Sequence, residues 1–125
     1  MECDAKEDLS ERTKQFALAV IQLGGHLPHS NSAQILGRQL LRSGTSIGAN
    51  YREARHARSK AEFVSKIHIA LQEARETAYW LELIFDANIC QEAGVQALVQ
   101  EASELCAIFI ASARTASTTS KKCNS

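Results

Sequence analysis

The sequence predicts an all-α protein, an up-down-up-down antiparallel four-helix bundle. Hydrophobic residues make up 45% of the 125 residues, and the chain contains one Pro and six Gly. Its apolar residues recur at steps of three and four, which is the spacing of a helix face, and not at the alternate positions typical of strands. Four such patterns are joined by short stretches, which place consecutive helices antiparallel. The length fits a single domain.

The first helix is predicted at about 5–24. Asp4 and Glu7 have the spacing of a capping pair, and the consecutive Gly24 and Gly25 should stop the helix. Its apolar face consists of Leu9, Thr13, Phe16, Val20 and Leu23.

The second helix is predicted at about 31–57. The only Pro lies in the preceding loop, 26–30, and Asn31 with Gln34 three residues later should begin the helix. Its inward face consists of Leu36, Leu40, Ser43, Ile47, Tyr51 and Ala54.

The third helix is predicted at about 60–87. Ser59 followed by Glu62 is the clearest capping box in the chain, and Asn88 is a natural stop because Asn tolerates a left-handed backbone. Its inward face consists of Phe63, Ile67, Ala70, Ala74, Thr77, Leu81 and Ile84.

The fourth helix is predicted at about 95–115. Its face consists of Val95, Leu98, Ala102, Leu105, Phe109 and Ser112. The remaining residues, 116–125, are small and polar with little to bury, so we expect a disordered tail after a bundle domain at 1–115.

Charge is unevenly distributed along a chain whose net charge is zero. Residues 36–68 contain seven Lys or Arg against two acids, and residues 69–105 contain seven acids against one Arg. The basic residues surround the predicted turn between the second and third helices and continue along both: Arg38, Arg42, Arg52, Arg55, Arg58, Lys60 and Lys66. Two interpretations stay open. The cluster binds nucleic-acid phosphates without reading sequence, or it caps the helix and pairs with acids of a neighbouring subunit.

No catalytic site is indicated. Glu53 and His56 place a carboxylate and an imidazole on one helical face, but di-metal bundle sites need two such motifs and two further carboxylates. Here the motif occurs once, and Glu73 and Glu76 lack a partnering His. The sequence also contains no Gly-rich phosphate loop and no recognisable nucleophile triad. We therefore expect no enzymatic activity, no cofactor and no bound metal.

Two stripes of residues exceed what a single four-helix core needs. The second helix carries one and the third carries the other, and the main members are Gly37, Leu41, Gly44, Gly48, Ile69, Trp80 and Leu83. Gly inside a helix costs about 0.8 to 1 kcal/mol relative to Ala, so a repeated Gly implies close packing. The stripes pack against helices of the same subunit or form a homo-oligomer interface. We favour the interface, because a Trp, a Leu and an Ile exposed together are seldom seen on soluble monomers.

Four polar residues lie on or beside apolar helix faces: Asn50, Glu73, Glu76 and Thr77. Buried polar groups are normally hydrogen bonded. We expect these four to meet partners within the bundle or across an interface.

The four cysteines are expected to be reduced thiols without a role. Cys3 and Cys123 lie near the termini, and Cys90 and Cys106 would be about 24 Å apart along one helix, at about 1.5 Å per residue. No apolar run approaches the roughly 18 residues of a membrane span, and the start of the chain is acidic and polar, unlike a signal peptide. We expect a cytoplasmic protein that does not associate with membranes.

The segments RSGTSIGANYREA and SKAEFVSKIHIALQEARETAYWLEL resemble the bacterial four-helix-bundle family named for proteins encoded in intervening sequences of 23S ribosomal RNA genes. The family's Ser-Ile-x-x-Asn run corresponds to residues 46–50, and the acid that follows it corresponds to Glu53. Its Ser-x-x-(Glu or Asp)-Phe cap corresponds to residues 59–63. Its Glu-Ala-x-Glu-Thr-x-Tyr-Trp-Leu run corresponds to residues 73–81.

The resemblance implies an up-down bundle that assembles as a ring-shaped homopentamer and has no established enzymatic activity. A related accessory protein of diversity-generating retroelements is similar and binds nucleic acid through a basic surface of its pentamer. We therefore expect a non-enzymatic, self-assembling bundle that associates with RNA or DNA, or with a nucleic-acid enzyme, as an accessory subunit. The alternative is a structural protein-protein adaptor that does not bind nucleic acid.

Overall fold

Four helices account for almost the whole chain. The computed structural model describes the backbone of residues 3–124 and the side chains of residues 9–118. In chain order the helices are α1 (Cys3–Gly25), α2 (Asn31–Arg55), α3 (Lys60–Asp86) and α4 (Ala93–Asn124). Helices that follow one another in sequence pack together, and α1 and α4 make the least extensive contact of the adjacent pairs. The predicted all-α four-helix bundle is confirmed.

The core lies on the helix faces that the apolar spacing predicts. Nearly all of the predicted inward residues are buried, and only Leu36, Phe63, Leu98 and Ser112 are half-buried at its margin. Burial of a Leu, Ile or Phe side chain stabilises the fold by about 1.5 to 3 kcal/mol each. The largest fully buried side chains at the centre are Phe109, Leu40, Ile47, Ile67, Leu81, Ile84 and Leu105.

The α2–α3 turn is fixed by the cap that the sequence predicts. Ser59 has an extended backbone, and its hydroxyl oxygen accepts the backbone N–H of Glu62 at 3.0 Å. The reciprocal half of the capping box is shifted by one residue, because the Glu62 carboxylate accepts the N–H of Arg58 and not that of Ser59. The cap therefore holds the chain between α2 and α3 in a short, defined turn.

Asn88 ends α3 as expected, with a φ of 62°. Its N–H donates to the carbonyl of Phe85, and the N–H of Ile89 donates to the carbonyl of Ile84. This pair of bonds around a left-handed residue satisfies carbonyls that the helix end would otherwise leave unpaired.

The start of α2 differs from the prediction by one residue. Ser30, and not Asn31, is the N-cap: its hydroxyl oxygen accepts the N–H of Ala33, and its backbone is extended. Asn31 is the first helical residue. Gly25 ends α1 as predicted, while the side chains of the Asp4 and Glu7 capping pair lie outside the described residues.

The predicted end of α4 near Thr115 is wrong. The helix continues to Asn124, through most of the segment 116–125 that was expected to be a disordered tail. That segment contains no Gly and no Pro, so no residue in it forces the helix to stop.

The part of α4 over Ala93–Thr118 is long and apolar enough to cross a membrane by length and composition alone, which the sequence analysis did not anticipate. In the bundle its apolar face supplies the buried Leu105 and Phe109. Its Glu101 pairs with Arg12 of α1. The bundle buries 22% of this apolar stretch, so α4 contributes one of its faces to the core.

Candidate nucleic-acid interface

The α2–α3 turn presents basic side chains around an open hollow of about 520 Å³. Arg52 comes from the last turn of α2, Arg58 from the turn itself and Lys66 from α3. The turn is tight because His56 caps α2 through its backbone N–H, and Ser59 caps α3. Glu53 and Glu62 also line the hollow, so its charge is mixed.

Among the predicted basic residues, Lys66, Arg55 and Arg42 make side-chain contacts within the chain. Lys66 Nζ donates to Glu53 Oε1 at 2.7 Å, and this hydrogen bond raises the pKa of Lys66. Arg55 donates to the Ser10 hydroxyl of α1 at 2.8 Å. Arg42 binds two carboxylates of α3. These side chains join helices of the same chain, Arg42 and Lys66 through carboxylates and Arg55 through a hydroxyl. The alternative to phosphate binding had placed the acids on a neighbouring subunit.

The other members are exposed but do not form a single surface. Arg52 and Arg58 meet at the α2–α3 turn, and Lys60 is the first residue of α3. Arg38 lies fourteen residues before Arg52 on α2, about 21 Å at about 1.5 Å per residue, and lines a separate groove between α1 and α2. Within the described residues, Arg38, Arg52 and Arg58 make no ion pair. The seven residues are therefore two groups, and only the one at the turn is compact.

The Glu53 and His56 pair does not assemble into a metal site. Glu53 is occupied by Lys66, and His56 is exposed at the end of α2. Across the part of the chain that the structure describes, no group of three or more His, Cys, Asp or Glu is placed to hold a metal ion.

The Gly members of the stripe contact other residues of the same chain, in α1 and in the loop that follows it. This is the same-subunit packing that the sequence left as an alternative, and the oligomer interface stays a prediction. A Cβ at Gly44 would lie 3.0 Å from both methyl carbons of Val20, and a Cβ at Gly48 would lie 3.0 Å from Thr13 Oγ1. At Gly37 the neighbour is Leu27 Cδ1, also at 3.0 Å. The missing side chains let α1 approach α2 closely, and the sequence could show that approach but not which helix makes it.

The apolar members of the two stripes are less buried. Leu41 is 45% exposed and Ile69 is 37% exposed. Trp80 and Leu83 are half-buried, with Trp80 packed against the core and its ring 5.3 Å from that of the exposed Tyr79. The indole N–H of Trp80 is buried and meets no acceptor among the described residues.

The predicted buried polar residues find partners in the same chain. Thr77 is fully buried, and its hydroxyl oxygen lies 2.7 Å from the Glu73 carbonyl and 2.8 Å from the Ser43 hydroxyl of α2. Its single hydrogen can serve one of these oxygens while its lone pairs accept from Ser43. Asn50 is half-buried and donates to the Ser46 carbonyl at 2.9 Å.

Glu73 and Glu76 are joined by one arginine. Arg42 of α2 donates to a Glu73 oxygen at 3.2 Å and to a Glu76 oxygen at 2.8 Å. The Glu73 side chain is 16% exposed and that of Glu76 is 38% exposed, so Glu76 belongs to the surface more than to the core. The bridge fixes the relative position of α2 and α3 beside Thr77.

Two further groups were missed by the sequence analysis. Arg12 of α1 forms a double hydrogen bond with Glu101 of α4 and a third bond with Glu104, and the Glu101 contact raises the pKa of Arg12. A second hollow lies between α3 and α4 and contains Arg75 and Arg114. Neither could be read from spacing within one helix, because both depend on which residues of two helices lie level with each other.

Cys90 and Cys106 are free thiols, as expected, while the side chains of Cys3 and Cys123 lie outside the described residues. Burial raises the pKa of the Cys106 thiol, and the nearby Arg75 opposes that rise. Cys106 is therefore a packed, weakly reactive thiol.

The family model described as 23S rRNA-intervening sequence protein matches residues 6–111, which is most of the bundle. The chain belongs to that family. A solved structure from Bacteroides thetaiotaomicron, titled a protein with unknown function from the S23 ribosomal protein family, is 36% identical. The match covers 83% of this chain and 96% of that one, with a TM-score of 0.77. None of the curated proteins matches the chain. Membership in the 23S rRNA-intervening sequence protein family thus agrees with the observed four-helix bundle.

Proposed function

We propose that this protein is a non-enzymatic, self-assembling bundle that associates with RNA or DNA as an accessory protein, either directly or through a nucleic-acid enzyme. The observation that carries the proposal is the pair Arg52 and Arg58. Both are exposed, both line one hollow, and neither makes an ion pair among the described residues. Arginine forks of this kind suit phosphate oxygens.

Self-assembly is the step that makes such a small site useful. Large apolar side chains are exposed on several faces, including Leu18, Ile21 and Leu41 on the α1–α2 face and Ile69 on α3. Ile21 and Leu41 line one groove, and apolar side chains exposed together favour association. In a ring, and we propose a pentamer, each subunit would contribute one pair of arginines, so a modest attraction per subunit would become measurable avidity.

A filter-binding titration at low and moderate salt tests nucleic-acid binding. We expect affinity for RNA or DNA to fall with salt, by a log-log slope of about 0.9 per neutralised phosphate on duplex DNA and about 0.7 on single strands. Arg52→Gln and Arg58→Gln should each lower both affinity and slope. Lys14→Gln is the matched control, because Lys14 is exposed on α1 and its substitution removes one charge away from the turn.

Light scattering tests assembly on the same samples. A mass of five subunits at micromolar protein supports the ring, and a monomeric mass refutes it. If the wild type forms the ring but does not retain nucleic acid at low salt, the nucleic-acid part of the proposal fails.

A ring that does not retain nucleic acid would favour the protein-protein adaptor. A specific observation also supports that alternative. Arg42, Arg55 and Lys66 have partners in the chain, and Glu53 and Glu62 share the hollow with Arg52 and Arg58. A surface of mixed charge with exposed apolar neighbours suits a protein partner. Capture of the same protein partner from nuclease-treated and untreated lysate would support this reading.

A further inference from the structure

A hollow of about 580 Å³ lies between α3 and the C-terminal half of α4, and it shares no lining residue with the hollow at the α2–α3 turn. Its volume falls within the roughly 300 to 1,000 Å³ of small-molecule sites. The lining residues are His68, Leu71 and Arg75 of α3 and Ile110, Ala113, Arg114, Ser117 and Thr118 of α4.

Helical spacing explains why these residues face one groove. On α3, positions 68, 71 and 75 are three and four residues apart, so they share one face. On α4, positions 110, 113, 114, 117 and 118 follow the same steps. The two helices are antiparallel, so the two rows form opposite walls. The result is an aliphatic floor with basic and hydroxyl groups along its rim.

The two arginines of this hollow are not neutralised within the described chain. Arg12 and Arg42 each bind two carboxylates, whereas Arg75 and Arg114 make no ion pair among the described residues. No acidic side chain lines the hollow. Two guanidinium groups therefore line one open groove that contains no counter-charge, and such a groove favours an anion.

The rest of the lining narrows the class of anion. Guanidinium forks bind carboxylate or phosphate oxygens through two parallel hydrogen bonds, and the Ser117 and Thr118 hydroxyls can donate further bonds. A phosphate monoester carries about −1.5 to −2 charges at neutral pH and so matches two arginines, whereas a carboxylate or a phosphodiester carries about −1. The floor is aliphatic and the lining contains no Phe, Tyr or Trp, so it does not offer a stacking surface for a base.

We propose that this hollow binds a phosphate monoester. The phosphoryl oxygens contact Arg75 and Arg114, and the carbon portion of the ligand lies over the aliphatic side chains between them. The site is separate from the arginines of the α2–α3 turn, and the proposal does not rest on nucleic-acid binding there. A monoester can come from a small alkyl phosphate or from the 5′ end of a nucleic acid, and the phosphoryl chemistry is shared.

Calorimetric titration of the full chain with n-butyl phosphate tests the proposal, together with methyl NMR shifts of Leu71 and Ile110. Inorganic phosphate should bind more weakly than butyl phosphate because it lacks the apolar part, and butanol should not bind. Arg75→Gln combined with Arg114→Gln should weaken butyl phosphate binding by at least about tenfold, because both groups that donate charged hydrogen bonds to the phosphoryl oxygens are lost. Lys14→Gln combined with Arg38→Gln removes the same charge elsewhere and should leave the affinity unchanged.

Three results would overturn the proposal: no heat and no methyl shift with butyl phosphate at millimolar concentration, equal weakening by the control pair, or equal binding of butanol. If the double Gln variant does not fold, Arg75→Lys keeps the charge but loses the fork, and unchanged affinity in that variant would also refute the site.

A short oligonucleotide with and without a 5′ phosphate identifies the source of the phosphate monoester. Preference for the phosphorylated form that is lost in the double variant places a nucleic-acid terminus in the hollow, while binding that ignores the 5′ phosphate belongs to the α2–α3 turn.

Discussion

Replacing Gly44 with Ala should destabilise the protein, although Ala is the better helix former. A Cβ at this position would lie 3.0 Å from Cγ1 and Cγ2 of Val20 and 3.4 Å from its Cβ. Val20 is buried and β-branched, so it has few alternative rotamers with which to move away. The added methyl group therefore has to separate α1 from α2.

The magnitude follows from two opposing terms. Replacing Gly by Ala inside a helix gains about 0.8 to 1 kcal/mol. Overpacking a well-filled interface costs about 1 to 3 kcal/mol. We expect the free energy of unfolding of Gly44→Ala to fall by up to about 2 kcal/mol.

Gly37→Ala is the matched control in the same helix. Its Cβ would also meet an atom at 3.0 Å, but that atom is Cδ1 of Leu27, the far end of a flexible side chain. The higher helix propensity of Ala should then outweigh the steric cost. The free energy of unfolding of Gly37→Ala should exceed that of the wild type by up to about 1 kcal/mol. The two Ala variants should therefore differ by about 1 to 3 kcal/mol.

Urea unfolding followed by far-ultraviolet circular dichroism measures both variants, at one fixed protein concentration because association shifts apparent stability. A second substitution, Val20→Ala, should make Gly44→Ala less harmful, since it removes the two methyl groups that the new Cβ meets. If Gly44→Ala is as stable as Gly37→Ala, the contact with Val20 does not constrain the helix pair. If Gly44→Ala keeps its stability but changes the mass in light scattering, the Gly stripe belongs to a subunit interface after all.

Three further experiments test the polar contacts and the thiol. Thr77→Val should lower the free energy of unfolding by about 1 to 3 kcal/mol, because the buried Ser43 hydroxyl loses the Thr77 hydroxyl and keeps only its 3.4 Å bond to the Leu40 carbonyl. Adding Ser43→Ala should restore part of the loss in urea unfolding. Glu76→Ala should lower the free energy of unfolding by less than about 1 kcal/mol, because the ion pair that it loses is exposed. A larger loss of stability, seen as a larger drop in melting temperature, would mean that Glu76 also contacts another subunit. In a variant with Ser at the other cysteines, Cys106 should react with an alkylating reagent more slowly in the native than in the urea-unfolded chain, because burial raises its pKa. Arg75→Gln should slow the native reaction further, because the nearby Arg75 lowers the Cys106 pKa. Unchanged rates would contradict the description of Cys106 as a packed, weakly reactive thiol.

The fold could be predicted from sequence because its determinants are local. Ser59 caps α3 and Asn88 ends it through bonds to residues within a few positions, and the apolar spacing of each helix identifies its buried face. The error at Ser30 is of the same local kind, since two adjacent residues can both cap and only the backbone geometry chooses between them. The end of α4 was missed because a polar composition does not by itself stop a helix.

The candidate sites were harder to predict because they depend on how helices lie against each other. The sequence shows that Gly44 requires a close neighbour, but Val20 is identified only once α1 is placed. The sequence places Arg42 among the candidate phosphate ligands, whereas in the structure it binds two carboxylates of α3. Arg75 and Arg114 are isolated charges in the sequence, thirty-nine positions apart, and become a pair only through the antiparallel register of α3 and α4.

The uneven attachment of α1 bears on how the bundle assembles and opens. Helices α2, α3 and α4 are joined by short turns and extensive packing between sequence neighbours, which favours rapid formation. α1 is held by its close approach to α2, whereas its contact with α4 is the least extensive in the bundle and includes Arg12 with its two carboxylates. α1 is thus the element whose release breaks the fewest contacts, and its amide hydrogens should exchange with solvent through a partial opening that leaves the other three helices protected.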